Sequence, residues 1–156
     1  MRALLLASLA LLAFTPGTVF AQDSRLEPTL GLINVNAGYR IGVYEGSMIA
    51  GGPIYANDTV GCEGFIPAAP HLSLDSQGGH LRIGVQASDW RSELTLIIQG
   101  PNGWSCTDDR MGGGTEMNFE NTMPGRYFVW IGTYEPNGNI PAVIYADDEP
   151  EYFGWR

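Results

Sequence analysis

Leu94-Thr-Leu-Ile-Ile-Gln-Gly-Pro-Asn-Gly-Trp-Ser-Cys106 decides how the rest of the chain is read. Leu94, Leu96 and Ile98 alternate with Thr95 and Gln99. That period of two is the signature of a strand with one buried face. Gly100-Pro-Asn-Gly103 then interrupts the run, and Trp104-Ser-Cys106 resumes it. Asn-Gly tolerates the positive φ that a tight turn needs, so the segment predicts a β-hairpin.

Working outward, the same pattern recurs. Leu81, Ile83 and Val85 alternate with Arg82, Gly84 and Gln86. Met123-Pro-Gly125 launches Arg126-Tyr-Phe-Val-Trp-Ile-Gly-Thr-Tyr134, and Glu135-Pro-Asn-Gly-Asn139 links this to Ile140 through Ala146. We read that second unit as a hairpin too. Phe128 and Trp130 fall on one face, Tyr127, Val129 and Ile131 on the other, and Trp130 is expected in the core. Weaker strand signals are Leu32 to Val35, Tyr39 to Tyr44, Phe65-Ile66 and Leu72-Ser-Leu74. No long apolar stretch of helical period follows residue 21. Gly and Pro fill roughly a fifth of the residues after 21, against about 12% in ordinary domains. Seven to nine short strands with this punctuation predict an all-β fold, a single antiparallel β-sandwich of jelly-roll type.

The N-terminus reads differently. Arg2 precedes an apolar run from Ala3 to Phe14, then Pro16, Gly17 and Val19-Phe-Ala21. This is the order of a cleavable export signal over residues 1–21. The run of about 12 residues is short of the roughly 20 that cross a bilayer. Residues 22–30 read as a flexible lead-in, 31–146 as the sandwich, and 147–156 as an acidic-aromatic tail with Tyr152, Phe153 and Trp155. We therefore expect an exported protein, periplasmic or secreted, with no membrane insertion once the signal is removed.

Charge narrows the partners. The chain has 17 acidic and 8 basic residues and a formal net charge of −9. None of its residues is lysine. Such a surface repels phosphate backbones and anionic membranes, which argues against nucleic acid as a ligand. Cys62 and Cys106 are the two cysteines. In an oxidising compartment an even count reads as one disulfide. Without a C-x-x-C motif or clustered histidines, a redox or metal pair is the weaker alternative.

With both units placed, three segments carry a resemblance. They are Cys62-Glu-Gly-Phe-Ile-Pro-Ala-Ala-Pro70, Leu94 through Asp109, and Pro124-Gly-Arg-Tyr-Phe-Val-Trp-Ile-Gly-Thr-Tyr134. Together they resemble the bacterial pre-peptidase C-terminal domain and its stand-alone relatives. The resemblance implies a jelly-roll-like sandwich of secreted proteins, a non-catalytic module that assists secretion or binds substrate, with calcium in some members. The chain departs from that pattern at Gly113-Gly-Thr115 and at Arg91-Ser-Glu93.

Little in the sequence points to catalysis. Ser105 sits in Gly103-Trp-Ser-Cys-Thr107, which lacks the last glycine of a nucleophile elbow, and we expect it to face solvent. His71 and His80 flank Ser76-Gln-Gly-Gly79 and read as solvated loop residues, not as zinc ligands. Gly112-Gly-Gly-Thr115 has no phosphate-loop lysine and reads as a flexible turn. Calcium suits the acids better, since it takes 6–8 oxygens from carboxylates and carbonyls. Asp108, Asp109 and Glu116 are the candidate ligands, with Asp75 or Asp89 joining through the fold. The alternative is a turn in which Asp108 caps its own backbone and Asp109 is solvated. Trp90, Trp104 and Tyr134 are the candidates for an exposed aromatic surface that takes a protein or a polysaccharide. The expectation is a non-enzymatic binding module. A structural envelope protein and an unrecognised secreted hydrolase are the competing readings.

Overall fold

The computed structural model describes residues 22–35, 44–108 and 112–148. Eleven strands and a single helical turn make up the described chain, arranged as two sheets packed face to face. The signal segment, most of the Tyr39–Tyr44 stretch, Asp109 and nearly all of the tail lie outside the described residues.

The larger sheet is built around β10 (Gly125–Thr133). One edge of β10 takes β5 (Leu72–Ser76), from Gly125↔Ser76 to Val129↔Leu72, and then β4 (Phe65–Ile66) at Thr133↔Phe65. Its other edge takes β7 (Leu94–Gly100), with Trp130 opposite Ile97. β1 (Leu32–Val35) joins β5 in parallel, and β3 (Ile54–Tyr55) joins β4. β8 (Gly103–Asp108) completes the sheet by pairing with β7 from Gly100↔Gly103 to Thr95↔Asp108, which is the hairpin read in the sequence. The smaller sheet runs β2 (Tyr44–Ala50), β11 (Ile140–Asp147), β6 (Gly79–Ala87) and β9 (Gly114–Thr122).

Between the sheets lies the main core. Alternation sends Leu81, Ile83 and Val85 inward from one sheet and Leu94, Leu96, Ile98, Val129 and Ile131 from the other, all essentially without exposure. Three sequence expectations change here. β10 and β11 are not a hairpin. Both edges of β10 are already paired, so the chain crosses at residues 134–139 to the other sheet. β9 is a long strand outside the expected set, in which Met117 and Phe119 alternate with polar neighbours and pack on the core. Of the glycine run read as a turn, Gly114 already belongs to β9.

The outer face of the larger sheet is covered as well. Residues 51–66 cross it, with α1 (Asn57–Val60) between β3 and β4. Ala56, Cys62 and Ile66 bury against Ile97 and Trp130 to form a second, smaller core. Trp130 is therefore fully buried, as its pattern predicts, but on the face opposite Val129 and Ile131. The Cys62–Cys106 disulfide ties this covering segment to β8.

Candidate functional site

Each candidate residue is placed by a strand end or the loop that follows it. Trp90 lies in the β6–β7 loop and is 66% exposed. Arg91 lays its guanidinium 5.0 Å from the Trp90 ring centroid, a cation–π contact. Its backbone N–H donates to Asp89 Oδ1 at 3.0 Å, so Asp89 closes its own turn. On the neighbouring strand, Tyr134 follows directly on Thr133 at the end of β10 and is 63% exposed. Thr133 pairs with Leu94, which brings the β6–β7 loop and the crossover loop to the same end of the sandwich.

There the loops enclose two clefts. One, of about 460 Å³, is lined by Arg91, Ser92, Glu93, Tyr134, Glu135 and Ile140 among others. The second, of about 270 Å³, is lined by Tyr55, Glu63, Phe65, Tyr134, Glu135 and Pro136 together with Gly64. Tyr134 and Glu135 belong to both, so they form the ridge between them. The ridge is held from below: Thr133 Oγ1 donates to the Glu135 carbonyl at 2.8 Å, and Asn137 N–H donates to the Gly52 carbonyl at 3.0 Å. In the second cleft Tyr55 stacks on Phe65 with centroids 5.0 Å apart. Tyr55 Oη donates to Glu63 Oε2 at 2.7 Å, and Asn57 Nδ2 donates to Glu63 Oε1 at 2.6 Å. The bond to Glu63 is the main reason the Tyr55 phenol is pushed above its ordinary pKa. Glu63, Glu93 and Glu135 are all exposed, so the clefts present three carboxylates at their rims.

Trp104 stands elsewhere. It pairs with Gln99, five residues along β7 from the Leu94 end, and its ring tilts against Trp130 at 5.4 Å. At 36% exposure it is a lid on the second core more than a free platform. The proposed aromatic surface is thus divided. Trp90 and Tyr134 share one end of the molecule, and Trp104 sits on a sheet face toward the other.

The calcium candidates Asp108 and Glu116 stand on different strands, β8 and β9, which approach where Thr115 Oγ1 donates to Thr107 Oγ1 at 3.3 Å. Asp108 ends β8, opposite Thr95 and near the cleft end. Glu116 lies on β9 in the other sheet, where its Oε2 accepts from Tyr145 Oη at 2.8 Å and its Oε1 from Asn118 Nδ2 at 3.2 Å. Burial, then that bond to Glu116, raises the Tyr145 phenol. Asp75 is held by Arg126 through two bonds of 2.7 Å, which keeps its carboxyl below the usual range. The loop after β8 does reach the Trp90 loop: a Cβ on Gly113 would stand 2.6 Å from Trp90 Cα, so only glycine allows that approach. Among the described residues no three His, Cys, Asp or Glu side chains gather where they could hold a metal ion.

The histidines depart from expectation. His71 is not solvated; it is 4% exposed and spends both ring nitrogens on backbone. Its Nδ1 accepts from Ile131 N–H at 3.0 Å, and its Nε2–H donates to the Ile49 carbonyl at 3.1 Å. His80 lies in the irregular stretch of β6 between Gly79 and Leu81, opposite β9, far along the fold from those partners. Ser105, expected at the surface, is half-buried opposite Ile98.

No known family profile and no curated protein matches the chain. Solved structures do. The pre-peptidase C-terminal domain of a collagenase from Bacillus anthracis is 16% identical, with 80% of this chain and 99% of that domain covered and a TM-score of 0.44. The Yersinia pseudotuberculosis-derived mitogen is 12% identical, covering 72% of this chain and 91% of its own, with a TM-score of 0.38. Both are among the solved structures to which the chain is similar.

Proposed function

We propose that this chain is a non-catalytic, exported β-sandwich module that recognises a protein or polysaccharide partner at the loop end marked by Tyr134. The observation that carries the reading is Tyr134 itself. A large aromatic ring left 63% exposed on a ridge between two clefts is costly to hydrate and available to stack. The Cys62–Cys106 disulfide fits an oxidising compartment. Of the two histidines, His71 has both ring nitrogens taken by backbone, which leaves it no nitrogen free for proton transfer and supports the non-catalytic half.

Calcium enters this reading as a stabiliser of the loop that starts at Asp108, not as part of the binding face. A rise in Tm with calcium over chelator, lost in Asp108→Ala, supports that role, and an unchanged Tm removes it.

Surface plasmon resonance against a panel of neutral and charged oligosaccharides and peptides tests the main reading. The expected result is a binder that Tyr134→Ala weakens about tenfold with an unchanged circular dichroism spectrum. Turnover of a panel member would replace the reading with a hydrolase. A panel with no binder would favour the structural protein.

A further inference from the structure

The two clefts differ from a flat sugar platform in ways that identify their occupant. At about 460 and 270 Å³ each has the volume for one long side chain, and each combines an apolar wall with a carboxylate rim. Ile140 and Tyr134 line the first beside Glu93 and Glu135; Phe65, Pro136 and Tyr134 line the second beside Glu63 and Glu135. The stem of a basic side chain is apolar and its head is charged. Such a side chain can lay its stem on the wall and turn its head to the rim. The Tyr134 ring between the clefts adds a cation–π face to both. In the first cleft Arg91 stands over Trp90 but still lines the wall, so Glu93 and Glu135 outnumber it and leave the cleft net negative, and among the described residues no cation lines the second. The whole chain carries −9, so the long-range field favours a positive ligand and opposes an anionic one.

We infer that the partner bound at Tyr134 is an extended cationic polypeptide that straddles the ridge and places one basic side chain in each cleft. This rests on the binding function proposed above and narrows it to a chemical class.

Fluorescence anisotropy with labelled hexalysine, at about 20 mM and about 300 mM salt, tests it. The wild-type protein should bind at low salt and weaken at high salt. Glu93→Gln/Glu135→Gln should weaken binding about tenfold, and Tyr134→Ala by a similar factor, while Tyr134→Phe keeps most of it. Glu45→Gln/Glu120→Gln removes the same charge from the other sheet and should leave affinity within about twofold. Equal loss in the two double variants would mean that only net charge is read, and would overturn the inference. So would absence of hexalysine binding. A neutral oligosaccharide such as cellohexaose that binds and is lost in Tyr134→Ala would overturn the cationic partner and keep the binding site. If neither ligand binds, the site falls as well.

Discussion

At the scale of single residues, His71 carries the clearest chemistry. It stands at the start of β5 in one sheet and its ring reaches Ile49 on β2 in the other. Burial pulls its pKa from 6.5 down to about 4, against the smaller opposing effect of the Ile49 carbonyl. Protonation would also set a second ring N–H against the Ile131 N–H that Nδ1 now accepts. Because the folded pKa is depressed, the unfolded chain takes up the proton first. Stability is therefore complete above pH 6.5, falls as pH drops toward 4, and levels off below it. A shift of this size corresponds to roughly 3 kcal/mol. Urea unfolding of wild type and His71→Gln across that window should show the wild type losing about that much more than the variant; parallel losses would remove the imidazole from the account. Trp130 is the other residue with a large expected effect: Trp130→Ala should cost about 3–5 kcal/mol in the same assay. The position of Trp130 was legible because alternation sets its face. The burial of His71 was not, since Ile49 and Ile131 approach it from distant parts of the sequence.

At the scale of elements, strands with strong alternation and a tight Asn-Gly turn were legible, and β7–β8 forms as read. The β10–β11 unit shows the limit of such reading. Two alternating runs joined by a Pro-Asn-Gly turn satisfy local chemistry equally well as a hairpin or as a crossover. The choice depends on whether the edge of β10 is free, and β4, β5 and β7 have taken it. β9 also alternates, Met117 and Phe119 against Glu116, Asn118 and Glu120, but two apolar residues after a glycine run are a weaker signal than the three apolar residues of β6 or β7. Its neighbour β6 carries Gly84 under the Tyr145 ring, where a Cβ would stand 2.2 Å from Tyr145 Cζ. Gly84→Val should therefore push the ring aside, break its bond to Glu116, and cost about 1–3 kcal/mol by thermal unfolding. The Cys62–Cys106 link closes 44 residues and holds the covering segment over Trp130. Cys62→Ser/Cys106→Ser should lower stability by roughly 4 kcal/mol in the chain-entropy estimate. Denaturant titration would check it, and a loss under about 1 kcal/mol would show that the second core holds without the link.

At the scale of the whole molecule, the sandwich is a scaffold that brings three loops together at one end. Residues 55–65, 91–93 and 134–138 are far apart in sequence, so the clefts they form had no sequence signature. Trp90 and Tyr134 could be singled out as exposed aromatics, yet only the fold shows that they share an end and that Trp104 does not. The acidic charge of the chain acts at this scale too, through attraction of positive ligands that salt should screen. Recognition at the Tyr134 ridge has a spatial consequence that can be read residue by residue. Amide chemical-shift mapping of the isotope-labelled protein during titration with hexalysine and with cellohexaose tests it most directly. Binding at the ridge should confine the shifts to residues 55–65, 91–93 and 133–140. Shifts centred on Trp104 and the outer face of β8, or on the smaller sheet, would contradict it.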